Sequence, residues 1–162
     1  TGTEVGTATV EFVAGAATGA ESTIAADPAT GVAADDTETS TLTITARDAN
    51  DNVVAGEDVF FAITDGSGGT LSAGPWTTDA SGVATATLRS TTANTITVTG
   101  YLGSDATGTE VGTATVEFVA GAATVAVSDG ASNDVWNPLA SQTVTVVTTA
   151  DDVADLALAA SP

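Results

Sequence analysis

Residues 78–88 read TDASGVATATL. The stretch opens as a tight turn: a short carboxylate at Asp79 can accept hydrogen bonds from backbone amides two residues on, and Gly82 supplies a backbone angle that side chains resist. From Val83 the residues alternate, with Ala84, Ala86 and Leu88 on one face, which is the two-residue period of a half-buried strand. The same grammar runs outward in both directions. Leu42, Ile44 and Ala46 alternate with Thr41, Thr43, Thr45 and Arg47, and Val59, Phe61 and Ile63 alternate with Phe60, Ala62 and Thr64. Further on come Ile96 and Val98, then Ala114, Val116 and Phe118. Turn clusters at 48–52, 65–69, 79–82 and 103–105 separate these runs, and Asp48 opens its turn as Asp79 does. Thr and Val dominate the runs, as a pleated surface favours. Several short strands with frequent turns, and no helical period over any useful length, predict an antiparallel β-sandwich.

An internal repeat sets the larger organisation. Residues 1–18 read TGTEVGTATVEFVAGAAT, and residues 107–124 read the same letters. The spacing is about that of one β-sandwich domain of ~100 residues. A weaker echo links 20–28 with 154–162. Residues 1–18 are therefore expected to be the last strand of a preceding module and 19–124 one complete module. Residues 125–153 are expected to be an inserted β-hairpin segment or a linker, with strand candidates at 124–127 and 143–148 around a loop holding Trp136 and Pro138. Residues 154–162 are the first strand of a following module. With no initiator Met, the chain reads as a stretch of a longer polypeptide.

Composition removes most chemistry. The 162 residues carry 21 acidic side chains against two basic ones, Arg47 and Arg89, for a net charge of −19. Cys, His and Met are absent, and so is Lys. No thiol or imidazole nucleophile, Schiff-base lysine, Cys/His zinc site or disulfide can be built. Nucleic acid is excluded as a partner, because so acidic a surface repels phosphates. No apolar run reaches the ~20 residues that cross a bilayer, so membrane insertion of this segment is not expected. The 43% apolar content is too high for a disordered acidic tail, but it is mostly Ala and Val with only 4% aromatics. The core must be thin, with Phe61 and Phe118 among its few large members.

At this level the turns are recognisable. The sequence resembles the bacterial immunoglobulin-like domain of the invasin and intimin type, found in tandem arrays on bacterial surface adhesins. The resemblance rests on 46–54 (ARDANDNVV), 69–72 (GTLS), 78–88 and the closing strand 114–118 (ATVEF), and covers most of 20–119. Its most specific part is Thr78-Asp79-x-x-Gly82-x-Ala84. Two departures stand out: Asp51 occupies a place where the family often has Gly, and segment 125–153 has no counterpart. The resemblance implies an all-β, immunoglobulin-like sandwich whose flanking strands belong to adjacent modules. It also implies a structural spacer carrying a binding tip away from the cell.

Among candidate sites, paired carboxylates could hydrolyse glycosides, but the aromatic-lined groove and assisting bases such sites use are wanting. Calcium is the better chemical candidate, since it takes oxygen ligands from loops. One candidate cluster is Asp48, Asn50, Asp51 and Asn52; the other is Asp35, Asp36 and Glu38, near a module junction with Glu21 or Asp105. The resemblance favours junctional calcium, through related spacers that use it there. For ligand binding at a tip, the residues to examine are Trp76, Tyr101 and Trp136.

The leading functional reading is a stalk or filament module outside the cell, with neighbouring modules or copies of the same protein as partners and no catalysis. In a second reading, 1–18 fills a groove in another copy by strand addition, inserting Val10 and Phe12. A virion surface module is a third. Self-repulsion at this charge points to a saline habitat, where screening removes the penalty.

Overall fold

A computed structural model describes residues 2–3 and 5–121. The expected segment 125–153, the strands within it, 154–162 and Trp136 lie outside the described residues. Among the described residues there are nine strands: β1 (Thr23–Asp27), β2 (Val32–Ala33), β3 (Ser40–Thr45), β4 (Asp58–Asp65), β5 (Gly69–Leu71), β6 (Trp76–Thr77), β7 (Val83–Ser90), β8 (Thr95–Leu102) and β9 (Thr109–Val119). They form two sheets, ordered β1-β3-β7-β5 and β2-β9-β8-β4-β6. The short β2 runs parallel to β9, pairing Val32 with Phe118, while the other pairs are antiparallel. The fold is a β-sandwich, as the alternation indicated, and an immunoglobulin-like one, as the resemblance implied.

Alternation decides which side chains meet. Along β7, Ala84, Ala86 and Leu88 are buried while Thr85, Thr87 and Arg89 are exposed. Register then places Ala86 beside Leu42 and Ala84 beside Ile44 in one sheet, and Val116 beside Ile96 and Ala114 beside Val98 in the other. The small members make room for the large ones, so that few bulky residues fill the interior at native density. Gly100 carries this furthest. It sits opposite Phe61 in the ladder, and a Cβ there would lie 2.8 Å from Ile44 Cδ1.

Three elements depart from the sequence reading. Gly69, assigned to a turn, begins β5 opposite Ser90. Its smallness serves packing rather than a turn, since a Cβ there would meet Ile96 Cδ1 at 2.7 Å. The two-residue strands β2 and β6 are too short to show a period and were not anticipated.

The two copies of the repeated sequence take different settings within this chain. Copy 107–124 supplies β9, whose Val116 and Phe118 are buried. Of copy 1–18, the described residues 2–3 and 5–14 carry no strand, and Val5, Val10, Phe12 and Val13 are exposed. The segment first meets the sandwich at Gly15, and Ala17 bridges Asp48.

Candidate functional site

The turn after β3 shows what the carboxylates do. Asp48 Oδ1 accepts the Asn50 amide at 2.9 Å and the Asn52 amide at 3.0 Å. This is the two-residues-on bond expected of Asp at a turn's first position. The Asn52 side chain donates to both oxygens, and the Gly15 amide donates to Oδ2 at 2.8 Å. These donors, the Asn52 side chain first and the Gly15 amide next, hold the Asp48 carboxyl at about 2, below its ordinary 3.8. Asp51 completes the turn at φ 67°. That left-handed angle explains why Gly suits this place, and Asp is among the residues that tolerate it. Its carboxylate lies 3.2 Å from Arg47 Nη1, which also donates to the Asp51 carbonyl at 2.8 Å.

The second cluster is built alike. Asp35 Oδ1 accepts the amides of Thr37 and Glu38 at 2.8 and 2.9 Å. These bonds, that from Glu38 foremost, lower its pKa. Glu38 turns back to accept the Ala33 amide. Asp36 stands 3.0 Å from Arg89 Nε. Asp105 accepts the Thr107 hydroxyl and amide, which lower its pKa in that order. Asp35, Asp36, Glu38, Asp48, Asp51 and Asp105 thus each face an N–H or O–H donor or an arginine. Among the described residues no three His, Cys, Asp or Glu side chains come together as a group that could hold a metal ion. The sequence counted oxygens but could not count the donors already facing them.

The aromatic candidates also have structural work. Trp76 on the edge strand β6 packs edge-on against Phe60 and Phe61, with ring centroids 5.9 and 5.3 Å away. Such pairs add to area burial. Beside them Asp58, Val59, Phe60, Gly74, Pro75, Trp76 and Ser104 line a groove of about 320 Å³. Tyr101 is half-buried opposite Phe60 in the β4–β8 ladder. What sequence reasoning missed is Gly15. Its contact with Asp48 joins residues 33 positions apart, and no local pattern announces it.

Comparison with known proteins places this geometry. The family model described as invasin, domain 3, matches residues 18–121. Among solved structures, the Yersinia pseudotuberculosis adhesin InvE is 30% identical, with a TM-score of 0.57 over 72% of this chain and 31% of that one. The D0-D1 domain of intimin is 31% identical, with a TM-score of 0.53 over 63% of this chain and 50% of that one. Invasin, described as a bacterial integrin-binding protein, is 31% identical, with a TM-score of 0.52 over 70% of this chain and 24% of that one. The chain therefore spans half or less of the length of these relatives. No curated protein matches the sequence.

Proposed function

We infer the function from one premise: the chain belongs to the invasin domain 3 family. Its relatives are bacterial surface adhesins, so the chain is an adhesin-type module. Within that frame its role is to supply length, as one sandwich of a tandem array outside the cell, with no catalysis of its own. The observation that carries this reading is the identity of 1–18 with 107–124, the stretch that supplies β9. A strand that closes one sandwich and recurs one domain-length earlier is what a preceding copy would leave behind. Val10 and Phe12, the apolar residues of that stretch, lie exposed at 74% and 92%, with no second β8 among the described residues for them to cover. The acidity suits crowded, salty surroundings, where screening removes self-repulsion and neighbouring arrays do not stick.

The test extends the chain. Placing residues 19–106 ahead of residue 1 restores a complete 19–124 sequence in front of the existing one. Two cooperatively folded sandwiches are expected, with Phe12 protected from solvent. An added segment that stays unfolded, with Phe12 still exposed, overturns the array reading.

One observation favours a second reading. Because 1–18 carries the same side chains as β9, it can fill that place in another copy and join copies head to tail. Concentration-dependent oligomers of the present chain, dispersed by Val10→Asp with Phe12→Asp, are the expected sign. A chain that stays monomeric at high concentration rules it out.

A further inference from the structure

Two aspartates in this sandwich build the same turn, but only one of them is buried. At Asp79, Oδ1 accepts the amides of Ser81 and Val83 at 2.8 and 3.0 Å, and the side chain stays exposed. At Asp48, Oδ1 likewise takes the amides of Asn50 and Asn52, yet the residue is only 3% exposed. The difference is the segment laid across it. Asp48 Oδ2 accepts the Gly15 amide, Ala17 bridges Asp48, and the Thr18 amide donates to the Arg47 carbonyl at 2.8 Å. The Ser22 hydroxyl accepts the Arg47 amide at 3.0 Å, holding the far end of the same segment. One carboxylate oxygen therefore makes the turn, and the other reaches the peptide that leads into the sandwich.

That peptide is made of small residues, Ala14, Gly15 and Ala16, and even a Cβ at Gly15 would meet Asp48 Oδ2 at an ordinary 3.4 Å, so recognition falls to the backbone amide. The letters AGAAT at 14–18 recur at 120–124, so the same peptide follows β9 in the sequence.

We propose that Asp48 is an inter-module latch, whose Oδ2 binds the Gly15 amide of the connector leaving a preceding module and fixes the direction from which that module arrives. The partner is a small-residue peptide recognised through its backbone N–H, and the importance of the latch rests on the array reading above. A carboxylate suits the task because it can accept at both oxygens, whereas a carboxamide offers one acceptor and one donor. Without the latch the connector is still held from Ala17 onward, by Ala17 against the core, the Thr18–Arg47 bond and Ser22, but the chain before Ala17 is free to pivot.

The experiment uses the whole chain and amide hydrogen exchange followed by NMR. In Asp48→Asn the single oxygen still serves Asn50 and Asn52, while an amino group faces the Gly15 N–H. Gly15 protection is expected to fall by about tenfold or more, with Asn52 protection far less affected. Gly15→Pro removes the donor and crowds Oδ2 from outside the turn, whose own residues stay unchanged, so it serves if Asp48→Asn fails to fold. It should raise exchange at Thr18 and the amplitude of fast motion across 16–18, with Asn50 and Asn52 unchanged. A Gly15 amide that exchanges freely in the native chain, or that stays protected in Asp48→Asn, overturns the latch. So does a Gly15→Pro chain whose residues 16–18 remain as ordered as before. Failure of the extended chain to form two sandwiches would instead overturn the array while leaving a protected Gly15 in place.

Discussion

Phe12 and Phe118 occupy the same place in two identical stretches of sequence, yet Phe12 is 92% exposed and Phe118 is 2% exposed. Local sequence makes both capable of a strand. Only the second has β8 and β2 to pair with, and a strand is stable only when its ladder and its apolar face are both covered. Truncation should therefore separate them. Phe118→Ala is expected to cost about 3–5 kcal/mol by emptying the end of the core, and Phe12→Ala less than about 0.5 kcal/mol. Urea unfolding midpoints of the two variants decide it, and equal losses would mean that 1–18 is packed in solution.

That contrast marks where the sequence was informative. The strands β3, β4 and β7 were legible because each alternates over about six residues, and β8 and β9 through the shorter alternations at 96–98 and 114–118. The turns at Asp48 and Asp79 were legible because an Asx turn is local, with the acceptor two residues from its donor. Gly69 was misplaced because glycine allows both a turn and close packing, and Ile96 Cδ1 decides between them from another strand. The surroundings of the Asp35 and Asp48 carboxylates were illegible for a related reason. Their composition is that of a calcium loop, but the backbone amides facing them appear only after folding.

The Asp48 carboxyl gives a pH test with a definite sign. Its pKa falls from 3.8 in the unfolded chain to about 2 in the fold. Its stabilising contribution is complete above pH 4 and fades as pH drops through 2. Asp48→Asn lacks that contribution at every pH. The melting temperature of the native chain should therefore exceed that of Asp48→Asn by a constant margin from pH 7 to about 4.5. The margin should then narrow toward pH 2. Measuring the difference cancels the general relief of charge repulsion as acids protonate, and a margin that widens in acid would contradict the assignment.

Backbone angle makes Gly82 and Asp51 opposites. Gly82 has φ 73°, and a Cβ on it would lie 2.9 Å from Val53 Cβ and 3.0 Å from the Ala46 carbonyl. Gly82→Ala should cost about 1–3 kcal/mol through strain and crowding. Asp51 already sits at φ 67° with a side chain. Asp51→Gly removes roughly 1 kcal/mol of left-handed strain and an exposed ion pair worth about 0–1 kcal/mol. The two nearly cancel. Thermal unfolding should show a clear loss for the first variant and little change for the second. A stable Gly82→Ala would mean the turn can relax into another form.

The largest electrostatic quantity is the net charge of −19, and it fixes how the chain answers salt. Both arginines are already paired, Arg47 with Asp51 and Arg89 with Asp36, and all four side chains are at least one-third exposed. Each pair contributes only about 0–1 kcal/mol, so screening them loses little. Screening the remaining acids gains more, because unfolding lets like charges move apart and any salt that shortens their reach favours the fold. The screening length drops from about 30 Å at 0.01 M to about 10 Å at 0.1 M and about 3 Å at 1 M. The melting temperature should thus rise with sodium chloride, most steeply below about 0.1 M, and flatten near 1 M. A fall over that range would mean that the two arginine pairs outweigh the repulsion. Calcium chloride at matched ionic strength separates screening from binding. Donors face both oxygens of Asp48 and Oδ1 of Asp35, which weakens each as a cation ligand, so calcium is expected to raise the melting temperature little more than sodium does. An increment beyond ionic strength, reversed by a chelator and lost in Asp48→Asn or Asp35→Asn, would place a calcium site at that turn.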